Sequence, residues 1–392
     1  MSTGFWRNFQ VVAVKEVIDA LRDRRTLLRL MVPAIMMGPL ILLGLSALLA
    51  SFEDRAEKRE ILVAGIANAP TLRNFLERQT YTIKEAPTDY EAMLRERTLT
   101  DPVVVVGDRF EQELQVGERP TVEIVSDSAN QRAGAGVGST QRLLTGFNQE
   151  RAVLNLALRG VSGDLLQSVS VEERDLASVQ ARASRITSII PMFIIMAVLY
   201  GALTASLDST AGERERGSLE PLLMNPVQHL ALVAGKWSAV ATLGLMMALL
   251  ASLSFIPAQW FIKSDSLQAM FQFGVWEVLP FIVLQVPLAA GLGAGLMAVA
   301  IRSKSFKEAQ ASSGLLIAAV TMTPMIGIMN PGGDAWWYLW LPGLSQNTLM
   351  LRVLKGESLG FLQIMPSLLV GTLLTLGCLY YVAHSMRQAV SR

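Results

Sequence analysis

The chain has 392 residues, of which 51% are hydrophobic and 17% charged, with a formal net charge of +1 at pH 7. This composition excludes an intrinsically disordered chain, which needs low hydrophobicity and high net charge, and a strongly basic nucleic-acid-binding protein. The single cysteine, Cys378, excludes a disulfide framework and a cysteine-based zinc site.

The charged residues are concentrated in one part of the chain. Residues 52–185 contain 38 charged side chains in 134 positions, which is the density of a soluble domain, whereas the other 258 positions contain only 29. The same segment is acidic, with 17 Lys and Arg against 21 Asp and Glu. The sequence therefore predicts a soluble domain inserted into a membrane protein.

Long charge-free runs predict the membrane spans, because a helix needs about 20 apolar residues to cross roughly 30 Å of hydrocarbon. Six runs are long enough, and we expect each to form one transmembrane helix. They are Leu30–Phe52, Ile186–Leu207, Trp237–Ile262, Val278–Ile301, Ala309–Gly333 and Ser358–Met386. The predicted fold class is an α-helical polytopic membrane protein with six transmembrane helices and a large α/β domain inserted between spans one and two.

A seventh apolar run, Ala335–Leu351, is shorter and begins with three tryptophans and a tyrosine, followed by Pro342 and Gly343. Trp and Tyr prefer the membrane–water interface, so this run is predicted to be interfacial or re-entrant rather than spanning.

Lysine and arginine in the short flanks of the spans predict the orientation. The flanks on the side of the N-terminus contain 14 of these residues, and the opposite short loops contain 3. Positively charged flanks stay in the cytoplasm, so both termini are predicted to be cytoplasmic, with residues 53–185 outside. The predicted location is the inner (plasma) membrane, with residues 30–52 retained as an anchor.

The inserted segment, residues 53–185, has alternating strand and helix patterns, which predict a small α/β domain. Helical patterns lie at Thr71–Arg78, at Asp89–Arg97 and beyond Asn130, and a polar helical stretch over Val171–Arg185 is expected to lead into the second span. The predicted strands are Ile61–Ile66, Tyr81–Lys84, Val103–Val106 and Thr121–Val125. A loop or hinge is expected at Gly134, Gly136 and Gly138.

The first 29 residues have an amphipathic pattern. Their charged residues occupy much of one side, and their apolar residues can form a single stripe. The stripe contains Trp6, Val14, Val17, Ile18, Leu21 and Leu28. This pattern predicts a cytoplasmic amphipathic helix in the membrane interface. A solvated basic flank that only sets the topology is the alternative.

A charged segment follows the second predicted span. Its sequence runs Glu213-Arg214-Glu215-Arg216-Gly217-Ser218-Leu219-Glu220, then Pro221, Leu222, Leu223 and Pro226. Ser218 is a favoured helix N-cap, and proline is tolerated in a first helical turn. We therefore predict a short cytoplasmic helix over about 213–227, with exposed charges suited to docking a soluble partner.

The pattern E-x-E-x-G-[ST]-L-E-x-L-L-x-x-P at Glu213–Pro226, with Gly235-Lys236 at the start of the next span, resembles the signature of ABC-2 type transporter permeases. Lys15-Glu16 followed by Leu21-Arg22-Asp23-Arg24-Arg25 resembles the elbow region of that family. The order of one span, a large external domain and five spans is also similar, particularly to the sodium-efflux branch.

The resemblance implies the membrane subunit of an ATP-driven exporter, which forms the translocation path as a homodimer or a heterodimer with a second permease. Its partners would be separate ATPase subunits, which bind ATP and Mg, and the lipid membrane. No nucleic acid is expected, and no cofactor is expected on this chain. The implied elbow residues are Lys15, Glu16, Arg22, Asp23, Arg24 and Arg25. The implied ATPase-coupling residues are Glu213, Arg214, Glu215, Arg216, Gly217, Ser218, Leu219, Glu220, Leu222, Leu223 and Pro226.

The sequence offers little for other chemistry. It contains no G-x-x-x-x-G-K-[ST] phosphate loop and no H-E-x-x-H motif, and its two histidines, His229 and His384, are far apart. No catalytic residue or metal site is therefore predicted. The alternative function is a membrane receptor or scaffold with an external sensor domain that does not itself transport, although the cytoplasmic segments are too short for an output domain.

Overall fold

The structure, a computed structural model, describes residues 2–390 apart from 23, 97, 129–132, 167–168, 170–173, 175, 179, 182–183, 185–186, 219–220, 222–227, 272, 304 and 331–332. Its contacts divide the chain into two compact units. The helical unit comprises Met1–Leu49 and Leu176–Arg392, and the inserted unit comprises Ala50–Asp175.

The inserted unit contains a four-stranded sheet. The strands are β1 (Glu60–Ala64), β2 (Thr82–Glu85), β3 (Val103–Val106) and β4 (Val122–Val125), in the order β2-β1-β3-β4. Strand β1 pairs in parallel with β2 and β3, and β4 is antiparallel to β3. Each segment with a strand pattern in the sequence overlaps one of these strands, and Val103–Val106 matches β3 at both ends because a buried β-branched run favours an extended chain.

Four helices accompany this sheet: α3 (Pro70–Arg78), α4 (Tyr90–Arg95), α5 (Phe110–Val116) and α6 (Ala133–Leu158). The core of the unit is apolar, and it includes Val63, Leu72 and Val104, which have no exposed surface. The rings of Phe75 and Phe147 meet edge to face at 5.3 Å. Helix α6 therefore contributes Phe147 to the same core as the strands.

The loop predicted at Gly134, Gly136 and Gly138 is wrong, since all three glycines lie inside α6. Gly136 packs against Pro102 so closely that a Cβ atom there would lie 2.8 Å from the proline ring. Glycine favours loops and hinges, but Gly136 is useful in a helix because it allows close packing on Pro102, and the sequence pattern does not separate the two roles. Most of the predicted 171–185 helix lies outside the described residues.

The helical unit confirms the prediction of six spans, because six described helices are long and apolar enough to cross a membrane. Helix α1 (Ser2–Arg22) precedes them, and short helix α9 (Asp265–Met270) follows the third span. The spanning helices are α2 (Arg24–Lys58, apolar over Met31–Ser51), α7 (Ile190–Glu215), α8 (His229–Ala258), α10 (Val275–Ala300), α11 (Phe306–Met329) and α13 (Phe361–Val390).

The centre of the helical unit lies where α7, α8 and α10 pack together. Gly201 of α7 meets Met247 of α8 closely, since a Cβ at Gly201 would lie 2.6 Å from the methionine Cγ. The apolar stretch of α7 is 67% buried within the protein, whereas that of α2 is 18% buried and that of α13 is 28% buried. Helices α2 and α13 therefore present wide apolar surfaces outward.

The seventh apolar run forms a 3-10 helix at Trp336–Trp340, a turn at Pro342-Gly343, and helix α12 (Leu344–Leu354). With 11 residues, α12 rises only about 16 Å, well short of the roughly 30 Å of a hydrocarbon core. Leu344, Leu349 and Met350 have no exposed surface. Helix α12 is therefore buried in the bundle, whereas Trp336 and Trp340 in the aromatic half of the segment are 78% and 43% exposed.

Candidate coupling site at the end of the second span

The charged motif begins within the last turn of the second span, since Glu213–Glu215 belong to that helix. Helix α7 passes through a π-helical stretch at Asp208–Gly212 and continues to Glu215. It ends in a Schellman motif, in which the Gly217 N–H donates to the Arg214 carbonyl and the Ser218 N–H donates to the Glu213 carbonyl, both at 3.0 Å. Gly217 has a φ of 68°, which glycine adopts without a steric penalty.

The predicted helix over 213–227 is therefore wrong at its beginning, because Glu213–Glu215 belong to α7. Glu213 is also not an exposed docking charge, since it is only 8% exposed. The Ser218 hydroxyl donates back to the Glu213 carbonyl at 3.2 Å. Five of the predicted coupling residues lie outside the described part of the chain: Leu219, Glu220, Leu222, Leu223 and Pro226.

Lys236, in the second turn of α8, connects the motif to the first helix. Its side chain has no exposed surface, and its Nζ lies 2.6 Å from Glu213 Oε1 and 3.1 Å from Glu16 Oε1. A buried ammonium group is tolerated only when it is paired and hydrogen-bonded. Lys236 therefore joins α1, α7 and α8 at a single point.

The preceding glycine allows this junction to form. A Cβ atom on Gly235 would lie 2.7 Å from the Cβ of Val12, so only a glycine lets α1 approach α8 so closely. Gly235 and Lys236 thus act together, since the first brings the two helices into contact and the second bonds Glu16 across that contact.

On the outer side of this junction the charges continue along α1. Lys15 pairs with Glu16 at 3.2 Å and with Asp19 at 3.4 Å. We call Asp19, Lys15, Glu16, Lys236 and Glu213 the ion-pair cluster, in which negative and positive groups alternate. Partial burial lowers the pKa of Lys15, but the carboxylates of Glu16, Asp19 and Glu213 outweigh burial and raise it above its ordinary value.

Helix α1 has two apolar faces, whereas its sequence predicts one. The predicted stripe lies mostly on the exposed side, where Trp6, Val14, Ile18 and Leu21 are between 44% and 60% exposed. The opposite face, which carries Val12 and Glu16, packs on α8. The exposed stripe is therefore available to lipid while the other face holds the helix to the protein.

The other predicted elbow residues lie at the boundary between α1 and α2 in the sequence. Arg22 is exposed at the end of α1, and Asp23 lies outside the described residues. Arg24 and Arg25 begin α2.

The motif also contacts the turn between the fourth and fifth spans. Arg214 Nη1 donates to the Ser303 carbonyl at 2.9 Å, and Glu215 Oε2 accepts from the Phe306 N–H at 2.9 Å. Phe306 begins α11, where unpaired backbone N–H groups and the helix dipole favour a carboxylate. The last turn of α7 is thus bonded directly to α8 and to the α10–α11 turn, and it is linked to α1 through Lys236.

Among the residues that the structure describes, no group of three or more His, Cys, Asp or Glu side chains could hold a metal ion. The chemistry of this site lies in charge pairing and helix-end hydrogen bonds.

Two comparisons relate the chain to known proteins. Residues 10–350 match the family described as "ABC-2 family transporter protein". The chain is also 28% identical, over 350 residues, to the "ABC transporter permease protein NatB" of Bacillus subtilis (strain 168), with 87% of this chain and 88% of that protein covered. Six apolar spans and a family match over most of the length lead to one conclusion: this chain is a multi-pass membrane protein that belongs to the ABC-2 family of transporter proteins.

Proposed function

We propose that this chain is the permease subunit of an ATP-driven exporter, that it works as a dimer, and that separate ATPase subunits bind ATP and Mg. The observation that carries this proposal is the bonding of the last turn of α7 to three other helix ends. A partner that moves this turn would move α1, α8 and the start of α11 with it.

The contact with the ATPase would lie just beyond this turn. Glu215, Arg216, Gly217 and Ser218 are exposed, and the chain then continues through 219–228 to the start of α8. A push on this exposed segment reaches Glu213 through one helical turn and reaches Lys236 through an ion pair of 2.6 Å. Separating a buried ion pair costs much free energy, so the joined elements should move as one body.

The orientation and the assembly belong to the same proposal. The positive flanks support cytoplasmic termini and an inserted unit on the outside. The exposed stripe of α1 suits the cytoplasmic membrane interface. The outward apolar faces of α2 and α13 suit lipid or a second permease. Resemblance to the sodium-efflux branch makes Na⁺ the first substrate to test.

The experiment compares a double variant with a single control variant in proteoliposomes. Glu215→Ala combined with Glu220→Ala removes two carboxylates from the proposed contact, and we expect lower ATPase copurification or ATP hydrolysis that no longer drives export. The matched control is Glu357→Ala, which removes an exposed carboxylate after α12. Unchanged assembly and unchanged coupling in the double variant would contradict the coupling role.

A further inference from the structure

An open cavity of about 260 Å³ lies between α1, α7 and α8, beside the ion-pair cluster. One side of the cavity is apolar and includes Ala205, Leu243, Met246 and Met247. The other side is charged and carries four carboxylates, from Glu16, Asp19, Asp208 and Glu213. The cavity is therefore amphipathic, with its apolar wall toward the middle of α7 and α8.

The charged side favours a cation over an anion. Four carboxylates and the three cations Lys15, Arg216 and Lys236 line the cavity, so the wall has an excess of one negative charge. Glu213 is only 8% exposed, and its Oε1 accepts from Lys236. Its Oε2 has no hydrogen-bond partner in the described structure. Buried carboxylate charges are stable only when they are paired, which favours a cation beside them.

The size and the apolar wall favour an organic cation over a bare metal ion. Pockets for small organic ligands begin near roughly 300 Å³, close to the size of this cavity. A metal ion would need a set of carboxylates in coordinating geometry, and the described residues contain none. Methionine side chains such as Met246 and Met247 adapt to flexible apolar chains.

We propose that this cavity binds a primary ammonium group carried on a short apolar chain. The ammonium lies against the acidic wall and donates to the carboxylates there, and the chain packs on Leu243 and Met246. A quaternary ammonium has no N–H to donate, and an alcohol has no charge, so both bind more weakly. This inference goes beyond the proposed function, because binding requires neither a partner nor transport.

The test titrates octylammonium into the full chain in phosphatidylcholine nanodiscs and compares it with octyltrimethylammonium and octanol. We expect saturable binding of octylammonium, about tenfold tighter than that of the quaternary ion, because one charge-assisted hydrogen bond is lost. Equal and non-saturable uptake of all three compounds would overturn the proposal.

Two variants locate the site. Glu213→Gln should weaken octylammonium binding by about tenfold, since the charge is removed. Ala205→Leu should abolish binding, because it fills the apolar side of the cavity while leaving every ion pair intact. It therefore tests the site even if Glu213→Gln does not fold. The control Ala318→Leu adds the same volume on an exposed face of α11 and should bind as the unaltered chain does. Unaltered binding in Ala205→Leu would refute the assignment of the site.

A final arm identifies the source of the ammonium group, which both a free alkylamine and an ethanolamine lipid carry. Nanodiscs that contain phosphatidylethanolamine should raise the apparent Kd for octylammonium if the lipid headgroup occupies the cavity, and an unchanged Kd assigns the cavity to free amines. Because the ATPase subunit is absent from these experiments, a failure here is distinct from a failure of the coupling role.

Discussion

The two units of this protein use charged side chains in different ways. In the inserted unit, the pairs Arg78–Glu150 and Lys84–Glu60 lie on the surface of an apolar core. In the helical unit, Lys236 is fully buried between two carboxylates. Water screens an exposed pair, whereas a buried charge depends on its partners for most of its stability. Ion pairs therefore join elements in both units, but those of the inserted unit lie at the surface, whereas Lys236 joins its helices at a buried point.

Removal of the buried lysine should have the largest effect on stability. Lys236→Met leaves Glu16 and Glu213 buried without their shared cation, and we expect the free energy of unfolding to fall by about 3–5 kcal/mol. Denaturant unfolding of the full chain in micelles measures this loss.

The matched control for the lysine is Lys84→Met, which breaks the exposed pair with Glu60. We expect a change of at most about 1 kcal/mol, because both side chains are largely in water. Equal effects of the two substitutions would mean that the buried pairs contribute no more to stability than the exposed pair does.

A second variant tests the packing of α1 on α8, because it separates the two helices without removing a charge. Gly235→Ala places a Cβ 2.7 Å from Val12, and we expect α1 to shift from α8 at a cost of about 1–3 kcal/mol. The control is Gly314→Ala in α11, where nothing lies within 4 Å of the new Cβ. That change should stabilise the chain by about 0.5–1 kcal/mol, because alanine favours a helix. Unfolding experiments that give the same sign for both variants would refute the close packing of α1.

The smallest expected effect concerns the turn that ends α7. Gly217→Ala forces alanine into a left-handed conformation and should lower the free energy of unfolding by about 1 kcal/mol. Gly117→Ala in the inserted unit should have the same cost, since both glycines have a positive φ and open space around them. The two variants should differ in function, because only Gly217 lies in the proposed contact. Measurement of ATP-driven export should show a loss for Gly217→Ala alone, and an equal loss for Gly117→Ala would count against the proposed site.

Much of the fold could be predicted from sequence. The six spans follow from apolar length alone, and a run of four valines at Val103–Val106 indicates a buried strand. These features depend on neighbours along the chain, so local patterns are sufficient. The sequence does not reveal the close contact of Gly136 with Pro102, because the two residues are distant along the chain.

The site could be predicted only in part. The pattern at Glu213 and the Lys15-Glu16 pair both marked functional segments, yet nothing in the sequence connected them. Alternating charges after an apolar run normally lie in water, so Glu213 was expected to be exposed. A lysine at the start of an apolar span, such as Lys236, was the one available signal, because its position implies a buried partner.

The number of spans, the strands of the inserted segment and the family resemblance can all be read from the sequence. They depend on hydrophobic length, strand composition and motif spacing, which are properties of consecutive residues. The bonds of Lys236 become visible only in the tertiary structure. They join it to Glu16, which lies 220 positions earlier in the chain, and to Glu213, which lies 23 positions earlier. Such pairing depends on how closely α1, α7 and α8 pack. The burial that turns a charged motif into a junction between helices is created by the packing of distant segments.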